Sequence, residues 1–368
     1  MPADGDAGAD LDAELARAAD ATGFVPFDRF METALYAPGR GRYARRPGPL
    51  GPSGDFYTAA HVTPLFGRTI AGRIREVHAR LGAPRGFSVV EVGVGDGALA
   101  AASVPELAGA AAEYIAVDRS EELLRPALER LAPVAHAAGL ALRSARSLAA
   151  AGPVTGVVLA NELLDALPAR RLRWTGTAWS ELGARRDGGR WIAAERPAPA
   201  PVRDAPAPEG LAPGQIFEYS PAAEAWVREL ADHLAGGLAI VVDYGAGTEE
   251  LLRGHPEGTL AAVRAHRPIA DPFDRPGSAD LSVFVNFDRL RAAARRAGLV
   301  ELAFRAQAEA LGAWGFPERF DAAVRSSGGG EAEVRLRLAV KNLLFGFERF
   351  RALELAAPAS AGALRALT

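Results

Sequence analysis

A short apolar run that enters three closely spaced glycines and leaves as a helix constrains this chain more than any other feature. Residues 87–92 read as a buried strand, Gly93, Gly95 and Gly97 punctuate the turn, and the alanine-rich stretch from Ala98 has helical character. Further strands are expected at 114–118, 140–143, 155–160, 238–243, 299–304 and 343–350. Helical periodicity runs through 11–35. Thr63-Pro64 opens a helix expected to reach Leu81, and Ser120 is the expected N-cap of another. Parallel crossovers need covering helices, so this alternation predicts an α/β, doubly wound sheet.

The glycine turn predicts a nucleotide-like ligand. Glycine permits positive φ and lets the backbone close on a ligand. Asp118 ends the next strand, where a ribose hydroxyl would find an acceptor, and Arg119 follows it. Gly93, Gly95 and Ala98 nearly satisfy the dinucleotide pattern, but Glu91 and Asp96 flank the turn. Two carboxylates would repel a pyrophosphate. S-adenosyl-L-methionine carries a sulfonium and an amino group and no phosphate, so it is the expected cofactor, with NAD the weaker alternative. Glu91 is expected to act indirectly, by holding the loop or meeting the donor's ammonium through water.

The segment after the strand at 155–160, Asn161-Glu162-Leu163-Leu164-Asp165, supplies candidates for the acceptor side. If the chain turns helical there, Glu162 and Asp165 share one face and could orient a cationic acceptor such as guanidinium. Asp55 and Phe56 lie in a glycine-flanked loop suited to a lid. His266, with Arg267, Asp271 and Asp280 close in sequence, could accept a proton near neutral pH. Asp243-Tyr244-Gly245 ends another predicted strand and is expected to line the same crevice.

Composition excludes several classes. The chain has no cysteine, so disulfides, thiolate catalysis and cysteine-ligated metals are ruled out. Apart from His266 the histidines carry no assigned role and no metal-ligand spacing, and no metal is expected. A net charge of −3 gives no basic footprint for nucleic acid. No apolar run is long enough to span a bilayer. The acidic N-terminus resembles neither a signal nor a transit peptide, so the cytoplasm is the expected location.

Taken together, several segments resemble the MidA-like class I methyltransferases, whose mitochondrial members are arginine methyltransferases needed for respiratory complex I assembly. They are FMETALYAPGRGRY, GPSGDFYTAAHVTPLFG, VVEVGVGDGALA, NELLDALPARRL, FEYSPAAEAWV, VVDYGAG and the block from GTLAAVRAHRP to FVNFDRL. The resemblance implies a Rossmann-like core with a seven-stranded, mostly parallel sheet, an N-terminal helical extension and an inserted substrate-covering subdomain. It implies donor contacts at Gly93, Gly95 and Asp118, with Asp55, Thr58 and Asn161 bordering the pocket. Glu162, Asp165 and His266 become acceptor-side candidates. The chain departs from the family's usual residues at Leu163, Leu164, Ser282 and Asn286, and at Asp118, where glutamate is frequent.

The expected division is a helical extension and lid loop at 1–82, a donor-binding half at 83–168 and an inserted hairpin with a Pro-rich segment at 169–220. A second core half follows at 221–368, with a substrate loop at 244–283. The expected partner is a protein, peptide or small-molecule methyl acceptor. A homodimer is left open, and neither nucleic acid nor membrane is expected.

Overall fold

The structure is a computed structural model that describes residues 4–44, 58–200, 202–203, 207–265 and 267–367. The chain gathers into two compact units. One comprises Met1–Pro47, Leu164–Trp226 and Gly245–Ala292; the other comprises Gly48–Leu163, Val227–Tyr244 and Ala293–Thr368.

The second of these holds the glycine turn. Its sheet is built from β1 (Ser88–Val92), β2 (Glu113–Val117), β3 (Ala141–Ala145), β4 (Val154–Asn161), β5 (Leu234–Ala246), β6 (Val300–Ala306) and β7 (Phe350–Ala356). They lie in the order β3-β2-β1-β4-β5-β7-β6. The first five run parallel, and β7 is antiparallel to both its neighbours. The end of β5 carries an eighth, two-residue strand, Val285–Asn286. β1 is buried at every residue, as its valine-rich sequence requires of a strand covered on both faces. Around it lie α1 (Ala59–Val62), α2 (Pro64–Arg80), α3 (Ala98–Ser103) and α4 (Glu121–Ala138). Phe66, Ile70 and Ile74 of α2 pack in one core with Val89, Val157, Leu159, Ile240 and Val242 of the strands.

The expected caps are present. The Thr63 hydroxyl accepts from Leu65 N–H, and Pro64 opens α2. The Ser120 hydroxyl accepts from Leu123 N–H, and Gly139 closes α4 in the left-handed conformation.

The other unit carries an antiparallel sheet of Phe24–Pro26, Arg170–Trp174, Trp179–Asp187, Arg190–Pro197 and Ile216–Tyr219. The expected hairpin is there, with Leu172 opposite Glu181 and Trp174 opposite Trp179. A further strand, Arg190–Pro197, follows the Gly188-Gly189 turn, whose φ values are +52° and +82°. A three-stranded sheet of Ala261–Arg264, Arg267–Pro268 and Asp280–Ser282 joins a core containing Phe27, Phe30, Met31, Trp191 and Phe273.

Two expectations need correction. The helical pattern across 11–35 is interrupted: helices Asp4–Ala18 and Phe27–Tyr36 flank the strand Phe24–Pro26. Gly23, at φ +77°, makes the turn, and the Asp20 carboxylate anchors it by accepting from Thr22 and Phe24 N–H. The apolar run at 343–350 is the end of a helix, Gly330–Phe345, and the last strand begins only at Phe350. A short apolar run has no period with which to tell helix from strand.

Candidate active site

In an open α/β sheet, ligands sit beyond the carboxyl ends of the strands where the strand order reverses, here between β1 and β4. The glycine turn follows β1. Gly93, Gly95 and Gly97 have φ of +77°, +55° and +76°. The N–H groups of Gly93 and Val94 donate to Val117 O at the end of β2. The three glycines are not equivalent. A Cβ on Gly93 would lie 2.9 Å from Leu163 Cδ1. A Cβ on Gly97 would meet only Ala127 and Leu131 of α4 at ordinary contact distances. Gly97 makes the left-handed start of α3 and packs on α4.

The acidic residues fall into three states. Glu91 is 3% exposed, and burial pushes its carboxyl up to about 8. Tyr114 O–H donates to it at 2.5 Å. Asp118, also buried, is raised by burial; it accepts from Ser120 N–H at 2.8 Å and Gly95 N–H at 3.2 Å. Burial also opposes ionisation of Asp96, but bonds from His61 and Ala98 N–H and the charge of Arg130 outweigh it and hold its pKa below the usual range. The Arg130 guanidinium lies 2.8 Å from Asp96 Oδ2. Arg119 is exposed, and its carbonyl accepts from Arg146.

At the end of β4, the Asn161 Oδ1 atom is buried with no hydrogen-bond partner among the described residues. Its Nδ2 donates to Glu162 Oε1 at 3.3 Å. The expected helix after Asn161 does not form. Glu162 takes a left-handed φ of +51°, and its N–H donates to Val242 O. Asp243, fully buried, accepts from Leu163 N–H and Tyr244 N–H. Glu162 and Asp165 thus do not share a helical face. Glu162 Oε1 accepts from Ala59 N–H at 2.9 Å, so it holds the start of α1. Thr58 is the N-cap of α1 and contacts His61.

Thr58, Glu91, Gly93, Gly95, Gly97, Asp118, Arg119, Asn161 and Glu162 all belong to the sheet unit. Asp165 belongs to the other, where its carbonyl accepts from Val283 N–H. In that unit the Tyr43 phenol donates to Asp280 at 2.6 Å, and its pKa is raised by burial and by the charges of Asp280 and Asp165. Asp55, Phe56 and His266 lie outside the described residues. Tyr114 and His61 carried no sequence signal of their own; only their placement reveals them.

These features fit an adenosyl ligand: a turn kept bare of side chains, a buried carboxylate ending β2 and an unpartnered amide oxygen ending β4. Residues 69–304 match the family Methyltransf_28, described as "Putative S-adenosyl-L-methionine-dependent methyltransferase". The chain belongs to this family. A COG1565 superfamily protein from Burkholderia thailandensis, solved bound to S-adenosyl-homocysteine, is 31% identical, covers 99% of this chain and 97% of its own, and superposes with a TM-score of 0.84. The Drosophila melanogaster mitochondrial protein arginine methyltransferase NDUFAF7 homolog is 28% identical over 76% of this chain and 68% of its own. The rat protein arginine methyltransferase NDUFAF7 is 25% identical over 73% and 66%. The chain spans about two thirds of the length of these two relatives. The protein is a MidA-like methyltransferase with a Rossmann-like core, and its methyl donor is S-adenosyl-L-methionine.

Proposed function

We propose that this methyltransferase acts on a nitrogen of arginine in a protein substrate. The observation that carries the reading is the pair of acceptors at the end of β4, the buried, unpartnered Asn161 Oδ1 and the Glu162 carboxylate. A guanidinium offers only N–H donors, so an edge lined by acceptors suits it. The distant relatives named as protein arginine methyltransferases support the same substrate.

When bound, the donor supplies an electrophilic methyl group on a sulfonium. The chain's own residues do the rest. Gly93 and Gly95 keep the turn open to the donor, and Asp118 accepts from its ribose. Asn161 and Glu162 hold the acceptor nitrogen in line, which is where most of the rate gain of such a displacement arises. A guanidinium has a pKa above about 12 and a poorly available lone pair. The family resemblance adds Asp165, His266 and Asp55 as candidates for orienting the acceptor and taking the proton released.

The test is turnover with candidate protein acceptors, read by mass spectrometry. One or more added methyl groups on arginine, lost in Glu162→Gln and Asp165→Asn, are expected. Unchanged turnover in both variants overturns the residue assignment. Methylation of a metabolite in place of any protein overturns the substrate class.

A further inference from the structure

One histidine outside the proposed chemistry, in α1, links that helix to the donor turn. The His61 side chain is 12% exposed, and its two ring nitrogens have different partners. Thr58 N–H donates to Nδ1 at 3.2 Å, and the Thr58 hydroxyl lies 2.9 Å from the same atom. A backbone amide can only donate, so Nδ1 is the acceptor and the ring proton sits on Nε2. Nε2 lies 3.3 Å from Asp96 Oδ2. Asp96 in turn accepts from Ala98 N–H at 3.1 Å and from Arg130 at 2.8 Å. The same carboxylate therefore bonds α1, the start of α3 and, through Arg130, α4. The far end of this link is also anchored, since Ala59 N–H is bonded to Glu162.

We propose that His61 is a positioning residue that couples the docking of α1 to the shape of the donor turn, through Asp96. Donor binding and α1 ordering then stabilise one another. A ligand that fixes Gly95-Asp96-Gly97 holds the acceptor for Nε2–H in place. A docked α1 returns the favour by holding Asp96 where the turn needs it. Linkage makes this reciprocal: what α1 contributes to donor affinity, the donor contributes to α1.

The two nitrogens can be separated by substitution. Gln at position 61 places its amide N–H near the Nε2 position and keeps a donor to Asp96. Asn reaches only the Nδ1 position and keeps an acceptor for Thr58 N–H. The coupling predicts roughly tenfold weaker binding of S-adenosyl-homocysteine by calorimetry in His61→Asn, and a change within about twofold in His61→Gln, since a hydrogen bond to a charged group is worth that order. Amide hydrogen exchange across 58–63 should slow on ligand binding in the parent and in His61→Gln, and not in His61→Asn. Asp96→Ala should weaken binding, and adding His61→Asn to it should cost nothing more.

Equal effects of Gln and Asn, or additive losses in the double variant, overturn the link through Asp96. So does parental affinity in His61→Asn. Should the His61 variants fail to fold, Asp96→Ala with the exchange measurement decides the question alone: ligand-induced slowing retained across 58–63 refutes it. No methyl acceptor enters these experiments, so they stand apart from the arginine assignment.

Discussion

Glu91 offers a test of the donor site's electrostatics that needs no ligand. Burial raises its carboxyl from 4.5 to about 8, and the bond from Tyr114 only partly opposes this. Between those values the unfolded chain has released the proton while the folded chain keeps it. Folding therefore takes up a proton, and stability falls as pH rises through that window. Each pH unit between the two pKa values costs about 1.4 kcal/mol. From pH 5 to pH 7 the loss comes to about 2–3 kcal/mol. Glu91→Gln cannot titrate and can still accept from Tyr114 O–H. The variant should gain on the parent by about 2–3 kcal/mol between pH 5 and pH 7. Urea unfolding of the two proteins at pH 5, 6 and 7 measures this; groups remote from Glu91 cancel in the difference, while Asp96 and Asp118, whose charges help raise it, enter with it. The midpoint gap should widen with pH at unchanged slope. A gap that stays constant would refute the buried, protonated carboxyl, and one that narrows would reverse its sign.

Other expectations follow from single contacts. Gly93→Ala forces a side chain to φ +77° with its Cβ 2.9 Å from Leu163 Cδ1. It should cost roughly 1–2 kcal/mol in stability and weaken S-adenosyl-homocysteine binding by calorimetry; parental affinity would show that this turn does not face the donor. Arg73 and Glu354, each 1% exposed, form a two-pronged ion pair at 2.7 and 2.8 Å. Arg73→Met should cost about 3–5 kcal/mol in urea unfolding, because it strands a buried carboxylate. Arg73→Met with Glu354→Leu should recover most of that, and a double variant as unstable as the single one would show that packing, not charge, dominates.

Most of the sheet was legible because its central strands are apolar and separated by capped helices. Thr63 and Ser120 mark their helix starts by chemistry that acts within a few residues. The antiparallel unit was less legible. Its sheet takes Phe24–Pro26 from the N-terminus and Ile216–Tyr219 from beyond the insertion, and such long-range pairing leaves no local period. The same limit applies to the site. Glycines advertise a turn, whereas Tyr114 is an ordinary strand residue until its hydroxyl is placed against Glu91. Asn161 and Glu162 were singled out in sequence, but on the expectation of a helix. The left-handed φ of Glu162 depends on a backbone bond to β5, some eighty residues away in the chain, which no local pattern encodes.

The choice of donor was right for a reason the structure revises. Repulsion of a pyrophosphate by Glu91 and Asp96 cannot be the main cause, since Glu91 is largely protonated at neutral pH and Asp96 is offset by Arg130. The backbone supplies a better one. In a dinucleotide site the phosphates take the free N–H groups of the glycine turn and helix start. Here Gly93 and Val94 N–H are bonded to Val117 O, Gly97 N–H to Val94 O, Gly95 N–H to Asp118 and Ala98 N–H to Asp96. The turn has satisfied these amides with its own carbonyls and carboxylates. A phosphate would have to displace Asp118 and Asp96 to reach the last two. An adenosyl sulfonium donor has no pyrophosphate to place against these amides. The discrimination therefore lies in occupied donors as much as in the sign of the charge.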